Sequence, residues 1–569
     1  MDMDRVAKLA ESIWRKRETV NDRMEELARY IYPDRAGFTR TLAPGAEERD
    51  EIWDGTPEDA AQMLAAALGS LLTNPSGNWF TLEYPDAPEQ SREAGLWLNE
   101  VTRRMLAAFA DPRTGFQNEV NAFYLDLPVF GWAVFWSEYR DGEGLRFRAL
   151  PPSQCAIAED AAGRVDSVAR RYTLTAAQMV EEFGDAVSDA VRSAVADDSQ
   201  KDFEITHLVM PRSKLPPDIL SAGEAVYAGW HEQDGHGLSD SSRCGASLPA
   251  VIHPFVSIYF ETHSKKLLHQ GGYFELPFQS PRWSKRSGEE YGRGPGHAAL
   301  PDIRVLNTVA AAQLTAAEKQ ADPPLLVPDD SVLGKINTHS GGITYYSPGH
   351  GDKIAALPVA VNLDVMELII SKRQDAIRSA FLNDRIQLAG DTQMTATEFL
   401  GREKRQMLVL GPVLGRLQSE FLGPLVDRTF ALLYRAGKLP AAPQEMRGRE
   451  LQARYVSPIS RALRQNDAEG FATALGYIAP IIQHRPETID NFDADVIVRD
   501  SQSVFGYPQK YLRPTEDVAR ERAELAELAE RAELGRPVDM AGDVAGVSPA
   551  DPASMAVTDA TEGEASDAS

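Results

Sequence analysis

Side chains that often carry chemistry occur in this sequence at spacings that do not match a catalytic or metal site. Residues 231–236 read HEQDGH, which is close to a zinc-binding HExxH pattern. The second histidine comes five residues after the first, whereas two ligands on one helix face need a spacing of four. Gly235 also disfavours a helix. A polar turn is therefore the favoured interpretation, and we predict no metal ligands and no cofactor.

A glycine-rich segment is the second candidate for chemistry. Residues 292–296 read GRGPG, and such loops can hold a phosphate at a helix start. The segment lacks the final glycine spacing, the preceding strand and the Gly-Lys-Ser/Thr sequence of a nucleotide loop. We interpret it as a flexible connection to the next helix. The chain also has no GxSxG, Walker or CxxC motif, so we predict no catalytic residues and expect that the protein is not an enzyme.

Charge and composition narrow the class of protein. The chain has 569 residues, and 59 Lys and Arg against 84 Asp and Glu give a formal net charge of −25. Tight binding to a phosphate backbone favours a basic surface, so a DNA-gripping protein is disfavoured. Cys155 and Cys244 are expected to be free thiols in a reducing compartment. We expect no secretory signal and no membrane span.

Hydrophobic periodicity predicts a helical start followed by a β-rich middle. The first helix should end before Pro33, and the second should start with Thr56 as its N-cap. Alternation from Trp132 to Ala149 predicts a hairpin, and Thr175 is expected to cap a short helix. Further helices are predicted at about 96–109 and 116–127, and further strands at about 154–158, 164–172, 203–210, 225–231, 251–261 and 267–276.

The second half of the chain is predicted to be mostly helical. A capping box at residues 395–398, which read TATE, opens a helix of about 40 residues with a kink at Gly411–Pro412 and a stop at Gly437. Residues 537–569 contain seven acidic residues and no Lys or Arg, which predicts a disordered acidic tail. The fold class predicted from these patterns is α+β, predominantly α-helical.

Several short motifs occur in a characteristic order along the chain. The motifs stand at residues 32–35 (YPDR), 79–80 (WF), 130–133 (FGWA), 291–295 (YGRGP), 299–303 (ALPDI), 306–307 (LN), 323–325 (PPL), 394–398 (MTATE), 410–420 (LGPVLGRLQSE) and 506–508 (GYP). Their order and spacing resemble the head-to-tail connector, or portal, proteins of short-tailed double-stranded DNA bacteriophages. The resemblance covers roughly residues 5–535.

This resemblance implies a portal fold assembled as a ring of twelve subunits with a central channel at one capsid vertex. DNA would pass through that channel during packaging and ejection. The implied divisions are a wing (1–295), a first stem helix (296–321), a clip (322–362), a second stem helix (363–382), a tunnel loop (383–394), a long kinked wing helix (395–437), a crown (438–536) and the tail (537–569).

The resemblance also implies partners and a location. The partners are further copies of the chain, double-stranded DNA bound without sequence specificity, terminase, a tail adaptor, scaffolding protein and the major capsid protein, with no membrane. The location is the virion, after assembly in the host cytoplasm. A tail tube or adaptor protein is the alternative, and a packaging ATPase or nuclease is disfavoured because no phosphate loop is recognisable.

Candidate site residues follow from the same division. A stem helix of about 24 residues would span about 36 Å, enough for a channel wall. The candidate channel-lining residues are Lys319, Lys372, Arg373, Arg378, Arg385 and Gln387. The candidate clip-interface residues are Lys335, His339, Tyr345, Tyr346 and Lys353. The basic side chains could instead pair with carboxylates of neighbouring subunits.

Overall fold

A computed structural model gives the fold of most of the chain. It describes residues 2–40, 49–75, 77–83, 92–140, 142–215, 253–321, 363–386 and 411–444, with short segments at 325–326, 355–356 and 452–455 and scattered residues from 474 to 527. The chain divides into two units, Met1–Ala474 and Leu475–Ser569. In the second unit, the described side chains of Arg522 and Asp495 form an ion pair.

Four helices open the chain, as the periodicity predicts. They are α1 (Met3–Ile31), α2 (Thr56–Leu72), α3 (Arg92–Ala110) and α4 (Phe116–Phe130). The N-cap of α1 is Asp2, whose carboxylate accepts a hydrogen bond from the Arg5 amide. The predicted cap of α2 is wrong by one residue, because Gly55 occupies the N-cap position and Thr56 is already helical. Asp54 supplies the missing side-chain acceptor, since its Oδ1 lies 2.8 Å from the Thr56 amide nitrogen.

The segment after α1 ties this helix to α4. Arg35 Nε lies 3.1 Å from Oδ1 of Asp126, which is fully buried in α4. Burial raises the pKa of Asp126 to about 7, and the charge of Arg35 partly offsets that rise. The YPDR motif therefore has a structural role, because it supplies the cation that faces a buried carboxyl group.

The β-rich middle forms two antiparallel sheets. The predicted hairpin is confirmed as β2 (Val134–Arg140) and β3 (Gly144–Leu150), and β9 (Phe278–Gln279) pairs with the other edge of β2. The second sheet has the order β4-β5-β6-β7-β8. Its strands are β4 (Cys155–Glu159), β5 (Val165–Thr175), β6 (Asp202–Pro211), β7 (Phe255–Glu261) and β8 (Leu267–Tyr273). The predicted strand at 225–231 and the HEQDGH segment lie outside the described residues.

Two helical layers cover the five-stranded sheet. The N-terminal half of α1 packs on one face, where Val6 and Ile13 meet Leu208 and Ile258. Helices α5 (Ala176–Phe183) and α6 (Asp189–Asp197) cover other apolar residues of the sheet. The predicted cap of α5 is confirmed, since the side chains of Thr175 and Gln178 form a capping box. Cys155 is a buried free thiol, as predicted, and Cys244 lies outside the described residues.

The remaining elements are mostly helical. They are α7 (Pro295–Ala321), α8 (Leu363–Ala380), the short α9 (Asn383–Ile386) and α10 (Gly423–Arg435). Helical residues 411–417 lead into a π-helical turn, Gln418–Leu422, directly before α10. Gly437 adopts φ +65° just past the end of α10, which confirms the predicted stop. Residues 395–410, including the TATE capping box, lie outside the described residues.

Two short strand pairs complete the described sheets. Strand β1 (Phe80–Glu83) pairs with β12 (Gln452–Tyr455), which was not predicted from the sequence. Strand β10 (Leu325–Leu326) pairs with β11 (Ala355–Ala356) within residues 322–362. The first four residues of the segment 383–394 form α9. The described chain has the mixed α and β character that was predicted.

One large aromatic core joins the helices to the hairpin. Phe123 of α4 stacks on Phe421 of the π-helical turn, with ring centroids 4.2 Å apart. Phe135 of β2 meets both rings edge-on. The same core includes Ile303 of α7 and Ile377 of α8. The base of the helix pair α7 and α8 is therefore held in the main core of this unit.

Candidate functional site: the paired helices α7 and α8

Helices α7 and α8 pack against each other, and only one end of the pair is buried. The buried side chains of α7 lie at or before Leu306, with Ala316 as the exception, while α8 buries Ile377 near its C-terminus. The 27 residues of α7 correspond to a length of about 40 Å. The antiparallel pair β10–β11 lies in the connection between the two helices. The helices thus extend from an anchored base to an exposed far end.

Polar contacts fix the base of the pair to the N-terminal helices and their connecting loop. Arg304 of α7 forms two hydrogen bonds of 2.5 Å to the carboxylate of Glu26 in α1. Asn307 accepts from the Trp53 amide at 2.8 Å and donates to the Glu51 carbonyl at 2.7 Å. These contacts fix the orientation of α7 relative to α1 and to the loop before α2.

The glycines before α7 allow a close approach between two backbones. A Cβ atom built on Gly292 would lie 2.1 Å from the carbonyl oxygen of Gly131, and one on Gly294 would lie 2.4 Å from that of Pro128. Gly296 approaches the Val129 carbonyl in the same way, at 2.5 Å. The interpretation of this segment as a flexible connection is therefore wrong. Because these residues have no side chain, the start of α7 can pack directly against the end of α4.

A neutral histidine accepts a backbone hydrogen bond at the start of α7. The Nδ1 atom of His297 accepts a hydrogen bond from the Gly294 amide at 3.3 Å. Burial, together with the positive charges of Arg23 and Arg293, lowers the pKa of His297 to about 4. At neutral pH the imidazole is thus uncharged and able to accept this bond.

A buried arginine connects three distant segments beside the glycines. Arg282 is 2% exposed and forms ion pairs with Glu159 of β4 and Glu420 of the π-helical turn. Glu420 also accepts from the Arg282 amide at 3.0 Å, and Lys285 lies 2.7 Å from Glu159. The π-helical turn is consequently tied to the sheet through Glu420. No local sequence pattern indicates this role of Arg282.

The far part of the helix pair exposes apolar side chains. Val365 and Leu368 of α8 are 50% and 54% exposed, and Ile369 is also exposed. Spacings of three and four residues place these three side chains on one face of α8. Leu314 of α7 is 47% exposed. Large exposed apolar patches usually mark contact surfaces, and we call Val365, Leu368 and Ile369 the exposed apolar surface of the pair.

Four predicted channel residues lie on this pair of helices, and all four are exposed. Lys319 stands near the end of α7, while Lys372, Arg373 and Arg378 follow one another along α8. Arg373 pairs with Asp302 of α7 at 2.6 Å, and Arg378 lies 3.5 Å from Asp375. Two of the four charges are therefore partly neutralised within the chain. Which of these residues face DNA stays a prediction.

The other predicted site residues have no described side chain. Arg385 belongs to α9 by its backbone alone. Gln387 and all five clip candidates, Lys335, His339, Tyr345, Tyr346 and Lys353, lie outside the described residues. Their roles stay predictions.

The described part of the chain shows an arrangement suited to assembly. Within the described ranges, no group of three or more His, Cys, Asp or Glu side chains could hold a metal ion. None of the described helices combines the length and apolar character needed to cross a membrane. The helix pair has a base held in the core, a long exposed wall and an exposed apolar surface.

Comparison with known proteins identifies the family. The profile of the "Bacteriophage head to tail connecting protein" family matches residues 3–512. The chain is 30% identical over 531 residues to the probable portal protein of Bordetella phage BPP-1, covering 90% of this chain and 89% of the relative. It is 24% identical over 550 residues to the portal protein of Salmonella phage epsilon15, covering 94% of each chain. The chain therefore belongs to the bacteriophage head to tail connecting protein family.

Proposed function

We propose that this chain is the repeating subunit of a portal ring, through which phage DNA enters the capsid and later leaves it. The family match and the two portal relatives, aligned over about 90% of the chain or more, support a portal role. The structural observation that supports ring formation is the exposed apolar surface on α8. In a ring each copy would cover this surface on its neighbour, which removes the cost of exposing it to water.

The divisions of the subunit are part of this proposal. The wing would comprise residues 1–295, the stem α7 and α8 within 296–321 and 363–382, and the clip 322–362. The tunnel loop (383–394), the long wing helix (395–437), the crown (438–536) and the acidic tail (537–569) complete the chain. The described features agree with a stem that is anchored in the wing, since Arg304, Asn307 and the buried glycines all fix the base of α7.

The net charge of the subunit suits a channel along which DNA slides. Each phosphate that a Lys or Arg neutralises adds affinity through counterion release, so a strongly basic wall would retain DNA. This chain has a net charge of −25, and Asp302 already pairs with Arg373 on the proposed stem. Isolated basic side chains such as Lys319 and Lys372 would give weak contacts without sequence preference.

The proposed partners follow from this position at the capsid vertex. We propose that about twelve copies form the ring, that terminase docks during packaging, and that a tail adaptor replaces it afterwards. Scaffolding and major capsid proteins would contact the outer wall. Assembly would take place in the host cytoplasm, and the finished ring would remain in the virion as a structural part without catalytic activity.

A charge on the exposed apolar surface should prevent assembly. Leu368→Glu places a carboxylate where a neighbouring copy would bury Leu368, at a cost of about 2 kcal/mol or more per contact. The subunit itself should fold normally, because Leu368 is exposed within it. Native mass spectrometry should therefore show folded monomers in place of rings.

The matched control is Leu96→Glu on α3, where the same residue type is 55% exposed. This variant should still form rings. Rings of normal mass and stability from Leu368→Glu would show that the exposed apolar surface is not the subunit contact.

A further inference from the structure

A cavity outside the proposed channel and stem has the features of a ligand site. It lies between the β2–β3 hairpin, strands β5 to β7 and helix α5, and its volume is about 560 Å³. Cavities of roughly 300 to 1,000 Å³ are typical of small-molecule sites. We call it the hairpin cavity. Nothing in the proposed portal role uses it.

One end of the hairpin cavity is positively charged. Arg148 stands opposite Trp136 in the hairpin, and Arg170 stands opposite His207 in the sheet. Within the described part of the chain, neither arginine has an ion pair with a carboxylate. Arg170 instead donates to the neutral Oε1 of Gln154 at 3.1 Å. Two guanidinium groups without a counter-charge favour the binding of an anion.

The environment of Arg170 supports this interpretation. Burial lowers the pKa of Arg170, and the positive charge of Arg148 adds to that effect. The guanidinium carbon also lies 4.2 Å from the ring centroid of Tyr172, which holds the side chain over an aromatic face. An anion bound between the two arginines would relieve their mutual repulsion and supply the missing acceptors.

The walls next to the charged end are aromatic. His207 stacks on Tyr259 with ring centroids 3.7 Å apart, and Trp136 meets His207 edge-on at 5.5 Å. All three rings line the cavity. Aromatic side chains in a lining can pack against a planar, unsaturated body in the ligand.

The opposite end of the hairpin cavity is acidic. Glu138 and Glu182 share one cation, Arg140, at 3.2 and 3.4 Å, and Glu181 also lines this part. The two ends of the cavity are about 13 Å apart, because a four-residue step along β2 separates Trp136 from Arg140. Arg146, opposite Glu138, also lines this part, but it pairs with Glu143 at 3.0 Å. The three carboxylates of the lining therefore exceed the two guanidinium groups, which favours a ligand that presents N–H donors here.

We propose that the hairpin cavity binds a nucleoside monophosphate, with its phosphate at Arg148 and Arg170 and its base directed toward Glu138 and Glu182. A phosphate monoester carries close to two negative charges at neutral pH, which matches the two arginines. The base supplies the planar body, and an exocyclic amino group supplies the donors. The phosphate, the planar base and its amino group would thus each contact a different part of the cavity.

Isothermal titration calorimetry on the full chain at pH 7 tests this assignment with adenosine 5′-monophosphate as the probe. Adenosine lacks the phosphate and ribose 5-phosphate lacks the base, so each should bind at least about tenfold more weakly. Inosine 5′-monophosphate replaces the amino group with oxygen and should also bind more weakly. Equal affinity for adenosine and adenosine 5′-monophosphate, or no saturable binding up to millimolar concentrations, would overturn the proposal.

A pair of variants assigns the binding to the cavity. Arg148→Gln removes an exposed cation at the phosphate end and should weaken adenosine 5′-monophosphate at least about tenfold without affecting folding. Arg164→Gln removes an exposed arginine outside the cavity and should leave binding unchanged. If Arg148→Gln instead changes the oligomeric state and the nucleotide does not bind, the cavity receives an acidic side chain of a second copy, and the nucleotide proposal is wrong.

Discussion

Gly292→Ala is expected to destabilise the subunit by at least about 3 kcal/mol, or to prevent soluble expression altogether. The new Cβ atom would lie 2.1 Å from the Gly131 carbonyl oxygen and 2.9 Å from Arg282 Cβ. The nearer of these atoms belongs to the backbone, and Gly131 itself has φ +77° at the end of α4, so neither chain can move aside at low cost. Chemical denaturation followed by circular dichroism measures the loss as a shift of the unfolding midpoint.

The control for this substitution is Gly415→Ala. Gly415 lies in the helical segment 411–417, and no described atom stands within 4 Å of a Cβ built there. Alanine favours a helix over glycine by up to about 1 kcal/mol, so this variant should be as stable as the parent or slightly more stable. Equal unfolding midpoints for the two variants would mean that α4 and the start of α7 are not in close backbone contact.

Arg282→Met should lower the free energy of unfolding by about 3–5 kcal/mol, because it removes one partner of a buried ion-pair network. Lys285 remains beside Glu159, so the uncompensated charge falls mainly on Glu420 in the π-helical turn. The double variant Arg282→Met with Glu420→Gln should regain part of the loss. Urea titrations of the two single variants and the double variant form the cycle that measures this coupling.

Arg113→Met is the surface control for this cycle. Arg113 pairs with Asp111 but is 86% exposed, and exposed pairs contribute little to stability. Its unfolding midpoint should not change. Additive effects of Arg282→Met and Glu420→Gln, with no recovery in the double variant, would contradict the structural link between the π-helical turn and the sheet.

The elements that could be predicted from sequence are those with local signals. Apolar side chains at helical spacing identified α1, α7 and α8, and strict alternation identified the β2–β3 hairpin, because each pattern depends only on neighbouring residues. The Thr175 cap was also predictable, since its partner Gln178 is three residues away.

The features that were missed depend on partners far away in the chain. Strand β1 pairs with β12 more than 350 residues later, and four-residue strands carry almost no periodic signal. The role of Gly292 requires knowing that the end of α4 lies against it. Arg282 resembles any charged residue in a turn until Glu420 is placed beside it. The π-helical turn leaves the apolar periodicity of its helix nearly unchanged.

The candidate site was also only partly predictable from the sequence. The sequence located the two helices and the exposed basic side chains on them. It did not separate inward from outward apolar positions, since Leu300 and Leu306 of α7 are buried whereas Leu314 of the same helix is largely exposed. A helix that contacts other subunits is apolar on more than one side, so periodicity alone cannot assign its faces.

We propose that copies of this subunit assemble into a closed ring around a channel. The mass and symmetry of the purified protein test this assembly, measured by native mass spectrometry together with class averages from electron microscopy. A single closed ring of about twelve subunits with a central opening is expected. A stable monomer, or a six-fold tube, would contradict it.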